Sequence, residues 1–294
     1  MNSTIKHIVA FTENDAYSVL FEEMIKVSLT FQEKMILFYY RDIILGGLKN
    51  ARINNLKYAN YLLNKVDVFL NNPTNRNSTL LLLIKNIFYP AKSYYLYKIK
   101  SYDKSKKLLF KTLFINEQIK KEKGGDFIVF NSVQQYHNLA RIYFFNQDFA
   151  IGIGIVKDVL LYLLGESVQG KENIQSLLSN RDCQNYFKLR HLMITQLLKE
   201  TLLMLIKNGI DIFNRFAYIL AVSVKSLVNS YKPVLDDNNN LLEWVGLFLD
   251  FFFNHDEFIL KVDDFCEKSE KSTSSLIMQL KNIHGQNCEI LIPN

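Results

Sequence analysis

Between Tyr89 and Val159, small and apolar residues return at helical spacing in two successive blocks, and the rest of the chain can be laid out in the same way. Ser93, Leu96, Ser105, Leu109 and Thr112 form the first block, and Ala140, Tyr143, Gly152, Val156 and Val159 the second. In each, two small residues stand twelve apart around a polar turn, Lys100-Ser101-Tyr102-Asp103 or Asn146-Gln147-Asp148-Phe149. Small side chains let helix axes approach to about 8–10 Å. A connection this short sends the second helix back along the first. Gly47 and Ala59 make an upstream copy, with Asn54 and Asn55 in the turn and Leu63 beyond. The second small residues fall at 59, 105 and 152, a period of 46 and then 47. Such a period predicts stacked helical pairs, each unable to bury its apolar face alone.

Other helices follow from their end signals. The pattern turns helical at Thr12, which with Asp15 reads as a capping pair, and Val19, Leu20, Met24, Val27 and Phe31 follow. A second helix is expected over about 31–49. Asn71, Asn72, Pro73 and Asn75 end the helix after Ala59, Ser78 or Thr79 caps the next, and Pro90 either kinks that helix or stands in the first turn of a fresh one. Lys120, Lys121 and Lys123 before Gly124-Gly125 mark a helix end, and Ser132 with Gln135 reads as a capping box. After Gly165 the repeat fades. Helices are expected over 183–207, stopped by Asn208-Gly209, and over 212–231, ended near Pro233. An exposed loop at 236–240 then leads to helices at 241–254, 256–268 and 272–283. The last stretch, 288–292, is apolar and β-prone, and packs on the body or lies disordered.

The two blocks resemble the tetratricopeptide family, whose repeat has small residues at its eighth, twentieth and twenty-seventh positions and large ones at its eleventh and twenty-fourth. Ala140, Tyr143, Gly152 and Val156 match the first four of these positions in chain order, and Ser93, Leu96, Ser105, Leu109 and Thr112 match all five. The family repeat is about 34 residues; here some dozen more stand between units, and the family's closing proline is missing. The resemblance covers about 45–164. It implies an all-α, right-handed α-α superhelix of antiparallel pairs that binds proteins or peptides. The expected organisation is one helical-repeat domain over 1–294, with a repeat-like core at 45–164 and a C-terminal helical region at about 182–284.

Composition supports helices: with four prolines and eleven glycines in 294 residues, breakers are scarce. No stretch reaches the roughly 18 uncharged apolar residues of a membrane span, and the first residues lack the pattern of a secretion signal. Three scattered cysteines make no disulfide framework. A cytoplasmic location is expected.

Candidate chemistry is sparse. The five histidines pair in no HxxxH motif. His255 with Asp250, Asp256, Glu257, Asp263 and Asp264 is the one local group that could hold a cation, although Asp256 and Glu257 also suit a helix start. Gly152-Ile153-Gly154 lies in a helical pattern without the strand or third glycine of a dinucleotide loop. No catalytic motif and no cofactor are expected, unless distant turns bring His137, His191 or His255 to carboxylates.

Charge is the stronger signal. Positions 51–123 hold fifteen Lys or Arg against four acids, whereas 236–270 holds two against ten. In the basic part Tyr94, Tyr95, Tyr97 and Tyr102 interleave with lysines. The expected site is therefore a groove using Lys92, Lys98, Lys100, Lys104, Lys107, Tyr94 and Tyr97 to hold an acidic protein or peptide. The alternative is nucleic acid bound over 89–123, with cations on phosphates and rings for stacking. Against both stands the plain reading, in which lysines form solvated helix faces and tyrosines fill the core edge.

Overall fold

The computed structural model describes residues 16–72, 78–123, 128–163, 183–235, 239–268, 277, 278 and 280–283, and every regular element among them is an α-helix. In chain order these are α1 (Ala16–Ser28), α2 (Phe31–Arg52), α3 (Leu56–Asn71), α4 (Ser78–Lys98), α5 (Tyr102–Lys123), α6 (Ile128–Phe145), α7 (Phe149–Leu163), α8 (Cys183–Lys207), α9 (Ile210–Leu235), α10 (Asn239–Phe253) and α11 (His255–Lys268). The cap expected at Thr12 and Asp15, the glycines at 124 and 125 and the segment 288–292 lie outside the described residues. The chain divides into two compact units, Met1–Asn146 with Leu177–Arg190, and Gln147–Ser176 with His191–Asn294.

In the first unit α2 packs against α3 and α4, α4 against α5, and α5 against α6. A capping box starts α2: Thr30 Oγ1 accepts from the Glu33 amide, and the Glu33 carboxylate accepts from the Thr30 amide at 2.8 Å. The second helix expected over about 31–49 therefore begins where the sequence places it and runs on to Arg52.

Three turns share a left-handed residue. Asn54, Lys100 and Gln147 have φ of 61°, 61° and 64°, the left-handed region. At the first, the Asn55 amide reaches back to the Asn50 carbonyl (2.9 Å) and the Asn54 amide to Ala51 (3.2 Å). At the second, Ser101 reaches Leu96 (2.8 Å) and Lys100 reaches Tyr97 (2.9 Å). This is the Schellman closure, which satisfies the last carbonyls of a helix while reversing the chain. Asn55, Ser101 and Asp148 then each accept the first bond of the next helix, from Ala59, Ser105 and Gly152.

The small residues sit beside these turns. A Cβ on Gly47 would stand 3.0 Å from Leu63 Cγ and Cδ2 and 3.6 Å from the Ala59 carbonyl, so α2 meets α3 here. Between α4 and α5, Ser93 Oγ lies 2.7 Å from Ser105 Oγ, and each hydroxyl is also within reach of the other's carbonyl (3.1 and 2.8 Å). Ala140 and Gly152 are buried as well. Val66, Thr112 and Val159, one helical turn beyond the next large residue, are all buried.

A polar network ties α4, α5 and α6. Asn86 donates to Asn116, whose own amide donates to Asn131 Oδ1 (3.1 Å) and Ser132 Oγ (2.9 Å). Gln135 Nε2 donates to the Asn131 carbonyl and side chain. Ser132 and Gln135 are therefore no capping box: α6 begins at Ile128, and both residues act inside it as cross-links.

Proline ends fewer helices than expected. Pro90 lies within α4, which starts no second helix there, because buried Phe88 and Ala91 on either side continue the packed face. α9 runs through Pro233 to Leu235, since a proline removes its own amide donor while the residues after it still take helical dihedrals. The expected loop at 236–240 is shorter at its far side, as α10 begins at Asn239. The stop at Asn208-Gly209 is as read, with Gly209 at φ 105°.

In the second unit α7 packs on α9, α9 on α10 and α10 on α11. Aromatic rings join these layers: Phe149 to Phe216 (5.7 Å between centroids), Phe213 to Phe251 (6.0 Å) and Phe251 to Phe258 (5.4 Å). Gly152 and Gly154 lie inside α7, and Gly154 faces open space.

Candidate partner-binding surface

The seven residues expected to form the site fall into three environments. Lys92 is half-buried on α4, where its ammonium pairs with Asp67 of α3. That charge is already matched inside the unit. Tyr94 and Tyr97 are half-buried. Tyr97 stands 6.0 Å from both Tyr94 and Tyr102, and meets the ring of Phe145 edge-on at 5.0 Å. Burial, then the neighbouring Tyr102 and Tyr94 hydroxyls, push the Tyr97 hydroxyl well above the ordinary tyrosine range. These rings pack the end of α4 against α6 and leave little face for a stacked base.

Beside them lies Arg141, whose Nη1 donates to Asn138 Oδ1 at 2.9 Å. Burial lowers its pKa, and the Tyr97 and Tyr94 hydroxyls work against that shift. His137, one turn back, is 3% exposed, and burial with the nearby Arg141 charge pushes its pKa down to about 3. It is a neutral imidazole at any physiological pH.

Of the remaining four lysines, three face solvent. Lys98 is half-buried in the last turn of α4; Lys100 is exposed in the left-handed turn; Lys104 and Lys107 are exposed on α5. Lys111, which the sequence reading did not single out, is exposed too and continues their stripe, since 104, 107 and 111 follow the 3-then-4 spacing of one helix face. Phe114, 65% exposed, is next along the same face, with Phe110, 52% exposed, beside it. Lys106, between Lys104 and Lys107 in sequence, turns the other way: it pairs with Asp103 at 3.1 Å and lies over the Tyr143 ring.

The position of the stripe is informative. A helix amino terminus carries partial positive charge, which favours acids and disfavours lysine. Only Asp103 is acidic in the first turn of α5, while Lys104 and Lys107 lie in its first two turns. Glu117 and Glu122 lie further along, among Lys120, Lys121 and Lys123, so the stretch from Lys104 to Asn116 is the part of α5 without an acid.

Among the described residues no group of three or more His, Cys, Asp or Glu could hold a metal ion. Three of the acids near His255 pair with lysines instead: Lys261 reaches Glu257 (2.7 Å) and Asp250 (3.3 Å), and Lys281 reaches Asp263 (2.5 Å). His255 lies edge-on to Phe251 at 6.4 Å. The side chain of His191 lies outside the described residues. Among the described residues no helix is long and apolar enough to cross a membrane. No protein-family model, curated protein or solved structure matches this chain.

Proposed function

We propose that this protein is a non-enzymatic, cytoplasmic binding scaffold, its helical pairs stacked as a tetratricopeptide-like right-handed superhelix, and that it takes an acidic segment of a protein partner. The segment lies along the amino-terminal half of α5. Its carboxylates meet Lys100, Lys104, Lys107 and Lys111, and an apolar side chain rests on Phe110 and Phe114. One observation carries this reading: Lys104 and Lys107 are exposed on one face in the first two turns of α5, the helix end where a cation least stabilises the helix itself. An anion there gains from the lysines and from the helix dipole together. Lys92, Tyr94 and Tyr97 then support the surface by packing rather than by touching the partner.

The test is binding of a fluorescent glutamate-rich peptide to the full chain and to a Lys104→Glu, Lys107→Glu variant. Both residues are exposed, so the variant should melt like the parent while binding falls at least tenfold and loses its dependence on salt. Unchanged peptide binding would refute the reading. So would oligonucleotide binding at physiological salt that this same variant abolishes.

A further inference from the structure

We propose that the solvent face of α3 is a binding platform for single-stranded nucleic acid, separate from the lysine stripe of α5 and not dependent on it. The buried face of α3 is complete with Ala59, Leu63 and Val66. On the other side Lys57, Tyr58, Asn60, Tyr61, Asn64 and Lys65 are all exposed. Tyr58 and Tyr61 leave 48% and 53% of their surface in water, and their rings are nearly parallel, 21° apart in plane with centroids at 5.9 Å. From α2, Tyr39 adds a third ring that is 61% exposed. Lys65 holds its ammonium 4.5 Å above the Tyr61 ring.

Each residue type has a use in such a site. Flat rings accept stacked bases of any sequence, ammonium groups meet phosphates, and asparagine amides offer both donor and acceptor to base edges. Charge also argues for this occupant. The one acid of α3, Asp67, is half-buried and tied to Lys92, so the exposed face of the helix carries only positive charge. An acidic peptide would use the cations and leave the paired rings without a role.

Fluorescence anisotropy of the full chain with labelled 15-nucleotide oligo-U, oligo-dT and a duplex of equal length tests this. Single strands should bind, with affinity falling as salt rises, and the duplex should bind at least tenfold more weakly. Tyr58→Ala with Tyr61→Ala should weaken single-strand binding about ten- to hundredfold, while Tyr→Phe at both positions keeps it. Lys57→Gln with Lys65→Gln should flatten the salt dependence, a readout that stands even if the alanine variant folds poorly. The Lys104→Glu, Lys107→Glu variant should bind oligonucleotide like the parent. The proposal is overturned by absent binding, by equal affinity for duplex, by binding unaffected in the alanine variant, or by competition from the glutamate-rich peptide at this face.

Discussion

Two neighbouring glycines in α2 offer a sharp test of the packing, because one substitution should have opposite effects at the two positions. Replacing a helical glycine by alanine gains about 1 kcal/mol in an open helix, since glycine sacrifices more backbone freedom on folding. At Gly46 a new Cβ would meet only the tip of the Leu62 side chain, at 3.3 Å, and Leu62 is half-buried with room to turn. Gly46→Ala should keep most of that gain. At Gly47 the new Cβ meets both Cγ and Cδ2 of Leu63 at 3.0 Å, below ordinary van der Waals contact. Leu63 is 1% exposed, and its branch point as well as its tip is in the way. Relief requires moving α2 away from α3, an overpacking cost of roughly 1–3 kcal/mol that exceeds the propensity gain. The net expectation is a loss of about 1 kcal/mol for Gly47→Ala and a gain of about 0.5–1 kcal/mol for Gly46→Ala. For a unit of this size that is a melting shift of about 2–4 °C in each direction. Circular dichroism melts of the two variants, with Gly154→Ala as an open-space control, measure it. If Gly47→Ala stabilises as much as Gly46→Ala, the α2/α3 contact is not the close approach described above.

Three further outcomes can be checked. Ser93→Ala and Ser105→Ala should each cost about 1 kcal/mol, whereas the double variant should cost much less than the sum because it leaves no hydroxyl behind; a denaturation cycle showing strict additivity would contradict this. Asn116→Leu strands the Asn86 amide, while Asn131 Oδ1 keeps Gln135 as a donor, and should destabilise by about 1–3 kcal/mol in urea titrations; an unchanged midpoint would mean the network is not closed. His137 has a folded pKa of about 3 against an ordinary histidine value of 6.5, so the unfolded chain takes up a proton that the folded one refuses. Its contribution is therefore neutral above pH 7 and is lost at up to about 1.4 kcal/mol per pH unit as pH falls from about 6.5 towards 3. His137→Gln should melt progressively better relative to the parent between pH 7 and pH 5, and a constant difference would refute the assignment.

What the sequence disclosed is what packing imposes locally. Gly47 with Ala59 and Ser93 with Ser105 were legible because a close helix approach demands small residues at both ends of a short turn. The turn itself was legible in its polar residues. The stop after Lys207 could be read from Asn208 and Gly209. The site was less legible, since adjacent residues on a helix point about 100° apart. Lys92, Tyr94, Tyr97 and Lys104 interleave in sequence, yet Lys92 pairs with Asp67, Tyr94 packs on Tyr97, Tyr97 meets Phe145 and Lys104 faces water. No spacing rule reveals a pair separated by 25 residues, such as Lys92 with Asp67. Lys111 and the tyrosines of α3 could have been found by asking which face of a helix is left over once its buried stripe is assigned.

The left-handed turn at Lys100 also bears on how freely this chain could be improved. Glycine occupies that backbone region at least cost, and a lysine held there forgoes roughly 1 kcal/mol that glycine would retain. Stabilising engineering guided by conformation alone would therefore replace Lys100 first. On the function proposed above, the same change removes a cation from the stripe that meets the partner. On that proposal a more rigid protein with a weaker grip would result, stability gained at the expense of recognition.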